Sequence, residues 1–432
     1  MTDKLLKKAI NKHKAGQHAV AQSLYKKILK SQPDHIDANY MLGTSLAETG
    51  RADSALKYVR QAEVHAPDSQ YIKNNLGNVY RMLGDYENAA LKYNEALSIQ
   101  PDMVQALNNL AIVQRRLNNN DQAIALYKKA ISTKPDFLEA HYNLGKSYWD
   151  EGQYENAYTC FQRVLELKTD HALAMHEMGN CYMQQKNTEQ AISCFEKYLE
   201  LVDEDTCGAR LKLSYLHAGE LPERQPEQLI KQTYEKKART WDQDVERADM
   251  AFLGPQHIEQ AIVDLGLSSD NMRVLDVGCG TGLCAPFLKK FSNQLYGVDL
   301  SPQMLAQAEK KKLYDKLVCS DILEYLSPSS EAFDLVVGSG VMIFFGDLRQ
   351  VIKQTAITIN PAGHFIFTLY KSNQEDIEIR DNLHFAHSEQ YIRRVASESG
   401  FEVVTIKDVV HEYEQEQPQA GFVVSLRKPE NV

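Results

Sequence analysis

The sequence contains no C-x-x-C pair, although seven cysteines are distributed along its 432 residues. Their number is odd and their spacing is irregular, which argues against a disulfide framework and against a zinc site. We therefore expect no bound metal and a reducing, cytoplasmic environment.

Long apolar runs and an excess of basic residues are also missing. The apolar stretches are only a few residues long, far short of the about 20 residues that a membrane-spanning helix needs. The first residues are charged and lack the apolar segment of a secretory signal. The formal net charge is −10 and neither half is basic, so we expect neither a membrane nor nucleic acid as partner.

A period of 34 residues organises the first half of the sequence. One proline stands at each of four successive periods: Pro33, Pro67, Pro101 and Pro135. Each unit also carries alanine at one position and, four residues later, a mostly aromatic position: Ala21, Ala55, Ala89, Ala123, Ala157 and Ala191, then Tyr25, Val59, Tyr93, Tyr127, Phe161 and Phe195. Such a unit is typical of two amphipathic helices that cross closely at small residues and end at proline.

This period and this pattern resemble those of tetratricopeptide repeats over residues 1–203. The resemblance implies an α-solenoid of about six repeats followed by a capping helix, and we place this first domain at 1–220. A stack of repeats presents a concave surface that commonly binds a peptide or a protein segment. We expect a protein or peptide partner on that surface.

Asparagines recur on the first helices of the repeats. Three of them share one repeat position: Asn75, Asn109 and Asn143. One interpretation is a ladder of amide groups that holds an extended peptide backbone. The alternative is a solvated helix face with ordinary local hydrogen bonds.

The second half is organised around 273–282, which reads R-V-L-D-V-G-C-G-T-G. The apolar residues at its start are typical of a buried parallel strand, and Asp276 interrupts them near the strand's end. Glycine at every second position then allows a sharp turn and brings a ligand against bare backbone. Asp299 follows Asp276 by 23 residues, at the tip of a second predicted strand, where a carboxylate accepts both hydroxyls of a ribose.

A nicotinamide dinucleotide site is the obvious alternative for such a loop. Those sites usually read G-x-G-x-x-G, whereas this loop reads G-x-G-x-G with an acid two residues before the first glycine. The spacing therefore disfavours a dinucleotide.

The segments D-V-G-C-G-T-G and V-D-L-S-P-Q-M-L-A-Q-A resemble the glycine loop and acidic loop of class I S-adenosylmethionine-dependent methyltransferases, and the likeness extends over 228–428. It implies an α/β fold with a doubly wound, seven-stranded Rossmann-like sheet. The cofactor implied is S-adenosyl-L-methionine. The residues implied to bind it are Asp276, Gly278, Cys279, Gly280, Gly282, Asp299, Leu300, Met304, Asp321, Ile322, Ser339, Tyr234 and Trp241.

The second domain is placed at 221–432, with an N-terminal lid helix at 228–254. Tyr234, Ala238 and Trp241 are spaced to share one helical face. The segment resembles the N-terminal lid of class I methyltransferases, in which an aromatic residue closes over the cofactor. The alternative is an amphipathic helix that only packs on the domain.

A general base, if the reaction uses one, is expected in the loops after the fourth and fifth strands or before the sixth. His387, His384 and Tyr370 lie there, and histidine titrates near neutral pH. The alternative for His387 is a purely structural hydrogen bond or helix cap.

Together the two halves resemble bacterial methyltransferases that carry tetratricopeptide repeats. The sequence departs from that group at Gly340 and His384, where Asp and Arg are frequent. The resemblance implies an S-adenosylmethionine-dependent methyltransferase whose repeats recruit a protein partner or a protein-bound or carrier-bound substrate. The alternative is an inactive or cofactor-sensing scaffold that binds proteins through its repeats. The acceptor atom stays open.

Overall fold

The computed structural model describes residues 2–247, 249–267, 271–327, 331–373 and 376–430. The chain forms two compact units, Met1–Cys194 and Phe195–Val432. This division falls inside a repeat helix, and the domain boundary at 220 stays a prediction. In the described part of the chain, no helix has the length and apolar character needed to cross a membrane.

The repeat helices form six consecutive pairs, as the 34-residue period predicts. Their bounds are α1 Thr2–Lys14, α2 His18–Ser31, α3 Ile36–Glu48, α4 Ala52–His65, α5 Gln70–Met82, α6 Tyr86–Ile99, α7 Val104–Arg116, α8 Asn120–Thr133, α9 Leu138–Asp150, α10 Tyr154–Leu167, α11 Ala172–Gln184 and α12 Thr188–Leu201. The helical solenoid is therefore confirmed.

The small and aromatic positions of each repeat meet in the core. A Cβ placed on Gly145 would lie 2.7 Å from the ring of Phe161, and one on Gly77 would lie 2.6 Å from the ring of Tyr93. Both rings are fully buried. Because glycine has no side chain, the first helix of each of these two pairs can approach the aromatic ring on the second helix.

The second unit is a sheet with helices on both faces. Its helices are α13 Ala209–Tyr215, α14 Glu227–Lys237, α15 Trp241–Asp244, α16 Gly254–Asp264, α17 Ala285–Leu288, α18 Pro302–Lys311, α19 Ile322–Tyr325, α20 Arg349–Thr358 and α21 Glu389–Glu398. Its strands are β1 Met272–Val277, β2 Ser292–Asp299, β3 Lys316–Cys319, β4 Phe333–Gly338, β5 Ile359–Lys371, β6 Ile377–Ile379, β7 Phe385–His387, β8 Glu402–Glu414 and β9 Gln417–Arg427.

The sheet order confirms a doubly wound fold. Strands β3, β2, β1, β4 and β5 are parallel neighbours, and β9 and β8 continue the sheet in antiparallel pairs. These are the seven strands that the resemblance implies. Two short strands, β6 and β7, were not predicted, and β7 pairs with the end of β5 at Tyr370 and Lys371.

The lid segment differs from the single helix predicted over 228–254. It contains two helices, α14 and α15, with a turn at 238–240 between them. The Thr240 hydroxyl donates to Asp244 Oδ2 at 2.7 Å across the first turn of α15. Because the chain turns here, the Tyr234 and Trp241 rings come into edge contact, with centroids 5.5 Å apart.

Truncating a repeat-core aromatic tests this packing. Phe161→Ala removes a ring that is 0% exposed and should cost about 3–5 kcal/mol of unfolding free energy. The matched control is Tyr71→Ala, because Tyr71 is 56% exposed and surface changes usually stay within about 0.5 kcal/mol. Denaturant unfolding followed by far-ultraviolet circular dichroism measures both. Equal losses in the two variants would contradict the packing described here.

Candidate functional site

A cavity opens at the carboxyl ends of the parallel strands, where doubly wound sheets bind ligands. It is lined by residues from β1 and β2, from the segments that follow β1, β2, β3 and β4, and from the lid. Twelve of the thirteen predicted cofactor residues line it: Asp276, Gly278, Cys279, Gly280, Asp299, Leu300, Met304, Asp321, Ile322, Ser339, Tyr234 and Trp241. The structure thus brings these residues together, and their binding roles stay predictions.

The glycine loop shapes the floor of the cavity. Gly278 and Gly280 have φ of +67° and +54°, a region that side chains disfavour. A Cβ on Gly280 would meet no protein atom within 4 Å, so the space beside this residue is open. Gly282 does not line the cavity within the described chain; instead, a Cβ there would lie 3.0 Å from the ring of Tyr314.

Asp276 is the most constrained polar group of the cavity. It is 1% exposed, and its Oδ2 accepts a hydrogen bond of 2.6 Å from the Tyr314 hydroxyl. Its Oδ1 has no hydrogen-bond partner among the described residues. The pKa of Asp276 is raised to about 7: burial raises it most, the hydrogen bond from Tyr314 lowers it, and the negative charge of Asp299 raises it. The site therefore favours a positively charged hydrogen-bond donor beside Oδ1.

Asp299 stands at the end of β2 and faces the same cavity. Its Oδ2 accepts from the Gly280 amide at 2.9 Å and its Oδ1 from the Ser301 amide at 2.8 Å. Burial raises its pKa, while these backbone hydrogen bonds lower it. A carboxylate oxygen has two lone pairs, so each oxygen can still accept a ligand hydroxyl.

Asp321 lies between β3 and α19 and is 7% exposed. Its Oδ1 accepts from the Leu323 amide at 2.9 Å and so caps α19, while its Oδ2 accepts from Arg224 Nη2 at 2.6 Å. Arg224 also lies over the Phe345 ring, 5.4 Å from its centroid. Arg224 also lines the cavity, which was not predicted.

The segment around Arg224 is fixed to the loop that follows β4. The Gln225 amide donates to the Phe344 carbonyl at 2.8 Å, and the Gly346 amide donates to the Glu223 carbonyl at 2.8 Å. These contacts make the segment part of the cavity wall. No residue spacing signals them, because they join positions more than a hundred residues apart.

The lid contributes an aromatic wall. The Tyr234 ring meets those of Trp241 and Phe344 edge to face, at centroid distances of 5.5 and 5.8 Å. The lid is also tied to the glycine loop, because the Thr281 hydroxyl donates to the carboxylate of Asp242.

A further acid, Glu412 on β8, lines the cavity and was not predicted. It is half-buried, and burial raises the pKa of its carboxyl group. The Tyr370 hydroxyl donates to it and opposes that shift. Phe252, which lines the cavity as well, forms a bridge with Glu412 and thereby sets its position.

The three predicted catalytic residues lie behind this wall. As far as the described residues define the cavity, His387, His384 and Tyr370 do not line it. His387 is 0% exposed and donates from Nε2 to the Gly346 carbonyl at 2.9 Å; burial lowers its pKa to about 4. Burial also lowers the pKa of His384 to about 4. Tyr370 reaches a lining residue through its hydrogen bond to Glu412, and the His384 ring lies 5.4 Å from the ring of Phe344, which also lines the cavity.

The asparagines of the repeats form hydrogen bonds between neighbouring repeats. Asn75 Nδ2 donates to Thr44 Oγ1 at 2.6 Å and Asn109 Nδ2 donates to Asn78 Oδ1 at 3.1 Å. Asn143 Nδ2 donates to Asn108 Oδ1 at 3.1 Å. These amide groups therefore already join successive helices, and their role in holding a peptide stays a prediction.

Family models match both parts of the chain. A model described as methyltransferase domain matches residues 275–367. Models described as tetratricopeptide repeat match 6–71, 40–104 and 136–204, and one described as TPR repeat matches 113–152. The combination of repeats and a methyltransferase domain is therefore shown.

Three similar curated proteins are methyltransferases. Aklanonic acid methyltransferase DauC of Streptomyces sp. (strain C5) is 28% identical over 32% of this chain and 64% of its own length. A ubiquinone biosynthesis O-methyltransferase of Coxiella burnetii is 32% identical over 27% of this chain and 50% of its own length. A malonyl-[acyl-carrier protein] O-methyltransferase of Salmonella typhimurium is 29% identical over 26% and 45%. The chain thus spans about half the length of these relatives.

Replacing Asp276 with asparagine tests the burial of this carboxyl group. Its pKa is raised from 3.8 to about 7, so its contribution to stability is complete below about pH 4 and is lost as the pH rises through about 7. The introduced asparagine does not ionise and still offers an oxygen to Tyr314. Denaturant unfolding of the ligand-free chain should show Asp276→Asn gaining stability over the parent between about pH 4 and pH 8, by up to about 4 kcal/mol.

The matched control for this experiment is Asp264→Asn. Asp264 is exposed, and its hydrogen bond from Lys407 Nζ at 2.6 Å lowers its pKa. Losing that hydrogen bond should slightly destabilise Asp264→Asn at neutral pH. This change is opposite in sign to the gain in stability expected for Asp276→Asn. A stability difference for Asp276→Asn that does not change with pH would show that the carboxyl group is not buried as described.

Proposed function

We propose that this chain, in which tetratricopeptide repeats precede a class I methyltransferase domain, transfers a methyl group from S-adenosylmethionine. The repeats recruit a protein partner or a protein-bound or carrier-bound substrate. The proposal rests on one observation. The carboxyl group of Asp276 is buried, and it lines a cavity that Asp299 also faces while its Oδ1 has no hydrogen-bond partner among the described residues.

The lining residues fit this cofactor. Asp276 Oδ1 accepts a hydrogen bond from the amino group of the methionine part, and Asp299 accepts hydrogen bonds from the ribose hydroxyls. Asp321 and Ile322 lie where the resemblance places the adenine, and Asp321 Oδ2 keeps one lone pair beside Arg224. S-adenosylmethionine supplies a methyl group on a positively charged sulfur, activated for in-line attack by a well-placed nucleophile.

Charge complementarity supports the same ligand. The carboxyl groups of Asp276 and Asp299 face the cavity, whose lining also contains the basic residues Arg224 and Lys231. Among the described residues, one ion pair is recorded between a basic group and a lining carboxylate. It joins Arg224 to Asp321, on the side of the cavity proposed for the adenine. A ligand with an ammonium and a sulfonium group compensates the remaining negative charge, and binding favours the ionised form of Asp276.

Removing the charge of Asp299 should weaken cofactor binding. Hydrogen bonds to charged groups contribute about 1.5–3 kcal/mol, so Asp299→Asn should lower the affinity for S-adenosylmethionine about 10- to 100-fold in a calorimetric titration. The control Asp264→Asn leaves the cavity untouched and should bind as the parent does. Unchanged affinity in Asp299→Asn would show that the ribose is not bound there.

Glu412 is the general base in this proposal and takes the place expected for His387 and His384. It lines the cavity beside Phe252, it has no role in holding the cofactor, and its raised pKa brings it closer to neutrality. The Tyr370 hydroxyl holds its carboxylate in place. The relatives named O-methyltransferases support an oxygen atom as acceptor.

The variant Glu412→Gln separates chemistry from binding. A positioned general base contributes about 10²–10⁴-fold, so the variant should lower kcat by about 100-fold or more and leave cofactor affinity unchanged. Its matched control is Glu402→Gln, an exposed glutamate on the same strand. His387→Gln serves as the competing variant. A loss of kcat in His387→Gln but not in Glu412→Gln would contradict the assignment.

The repeats support recruitment of a partner because such stacks expose a concave surface. In the alternative, an inactive scaffold, the same cavity binds cofactor or nothing and no acceptor is methylated. The titration and the transfer assay distinguish the two: binding without transfer to any acceptor favours the cofactor-sensing scaffold.

A further inference from the structure

Two histidines and a glutamate converge at one side of the first repeats. His13 Nε2 lies 2.5 Å from Glu48 Oε2, and His18 Nδ1 lies 3.6 Å from the same oxygen. One ligand atom of each residue lies within 4.8 Å of the others. In the described ranges of the chain, this is the only group of three such side chains with that geometry.

The helix bounds explain why these residues meet. His13 is in the last turn of α1, His18 begins α2, and the turn between them passes through Gly16 with φ of +70°. The two imidazole rings come to 5.2 Å, edge to face. Glu48 ends α3, the first helix of the next repeat, so the cluster joins three helices.

The hydroxyl of Tyr25 orients the imidazole of His13. His13 Nδ1 lies 3.4 Å from that hydroxyl, and the Tyr25 ring is fully buried. In metal sites, the second ring nitrogen of a ligating histidine typically donates to such a fixed oxygen. The contact with Tyr25 leaves His13 Nε2 directed at Glu48.

Glu48 lacks the usual partner of a surface carboxylate. No lysine or arginine of the described chain lies within ion-pair distance of it, and its recorded charged partners are the two histidines. Its side chain is 48% exposed, so the cluster is accessible to an ion from solvent. Two imidazole nitrogens and one carboxylate oxygen form the ligand set of open three-residue metal sites.

We infer that His13, His18 and Glu48 bind a divalent transition-metal ion, with Zn²⁺ as the reference ion. Imidazole favours such ions over Ca²⁺ and Mg²⁺, which prefer oxygen ligands. Ligands about 2.0–2.2 Å from a tetrahedral Zn²⁺ lie about 3.4 Å from one another, and the observed separations of 2.5 and 3.6 Å lie on either side of that value. The expectation of no metal followed from the cysteines, and this site uses none.

Such an ion would join the first helix pair to the second repeat. An ion that binds the folded form alone raises stability by mass action. The inference is independent of the proposed methyl transfer, because it concerns residues of the first compact unit.

The test uses the full chain, freed of metal with a chelator and titrated with Zn²⁺ by calorimetry. We expect one site that is weakened at least tenfold in His13→Gln and in Glu48→Gln. The matched control is His65→Gln: His65 Nε2 lies 3.2 Å from Asp34 Oδ1, but no third ligand of the described chain completes that pair. This variant should bind Zn²⁺ as the parent does. Equal binding in all four proteins would overturn the inference.

Thermal unfolding and Co²⁺ absorption remove the remaining alternatives. Without metal, the His13 and Glu48 variants should unfold cooperatively close to the parent temperature, and only the parent and His65→Gln should be stabilised by Zn²⁺. Thiols are the competing ligands, because Cys319 is exposed. Thiolate charge-transfer bands in the Co²⁺ spectrum that persist in His13→Gln would overturn the proposed site.

Discussion

A carboxyl group buried at the end of β1 is the constraint on which the second compact unit depends. Asp276 is almost inaccessible, one of its oxygens accepts from Tyr314 and the other has no partner among the described residues. A buried charge without a counter-charge is costly, so the group either stays protonated or is stabilised by a cation. The glycine loop, the sheet order and the lid all serve to place an open space beside that oxygen.

One wall of the cavity carries carboxyl groups, and the opposite wall is aromatic. Asp276 and Asp299 lie at the ends of β1 and β2, and Asp321 follows β3; doubly wound topology brings the ends of these three adjacent parallel strands to one edge. The opposite wall is aromatic and comes from the lid and the loop after β4. Between these walls stands Glu412, whose strand runs antiparallel at the far side of the sheet. A cationic ligand matches the three aspartates, and an acceptor with an ionisable proton matches Glu412.

The sequence predicts those features that repeat or that belong to a contiguous motif. The six helix pairs follow from the 34-residue period, and the lining of the cavity by Asp276 and Asp299 follows from a short loop between two strands. Tyr314, Arg224 and Glu412 could not be found in this way, because each reaches the site through a contact distant in sequence. His387 attracted attention as a titratable residue in the right loop. Pairing of β7 with β5 buries it, and it donates to a backbone carbonyl.

The central claim is that the unpaired oxygen of Asp276 recognises the amino group of an S-adenosyl ligand. An experimental structure of the full chain with S-adenosylhomocysteine tests it most directly. The account predicts that the ligand's amino group donates to Asp276 Oδ1 and that its ribose hydroxyls donate to Asp299. A ligand bound elsewhere, or one that leaves Asp276 Oδ1 without a partner, would contradict it.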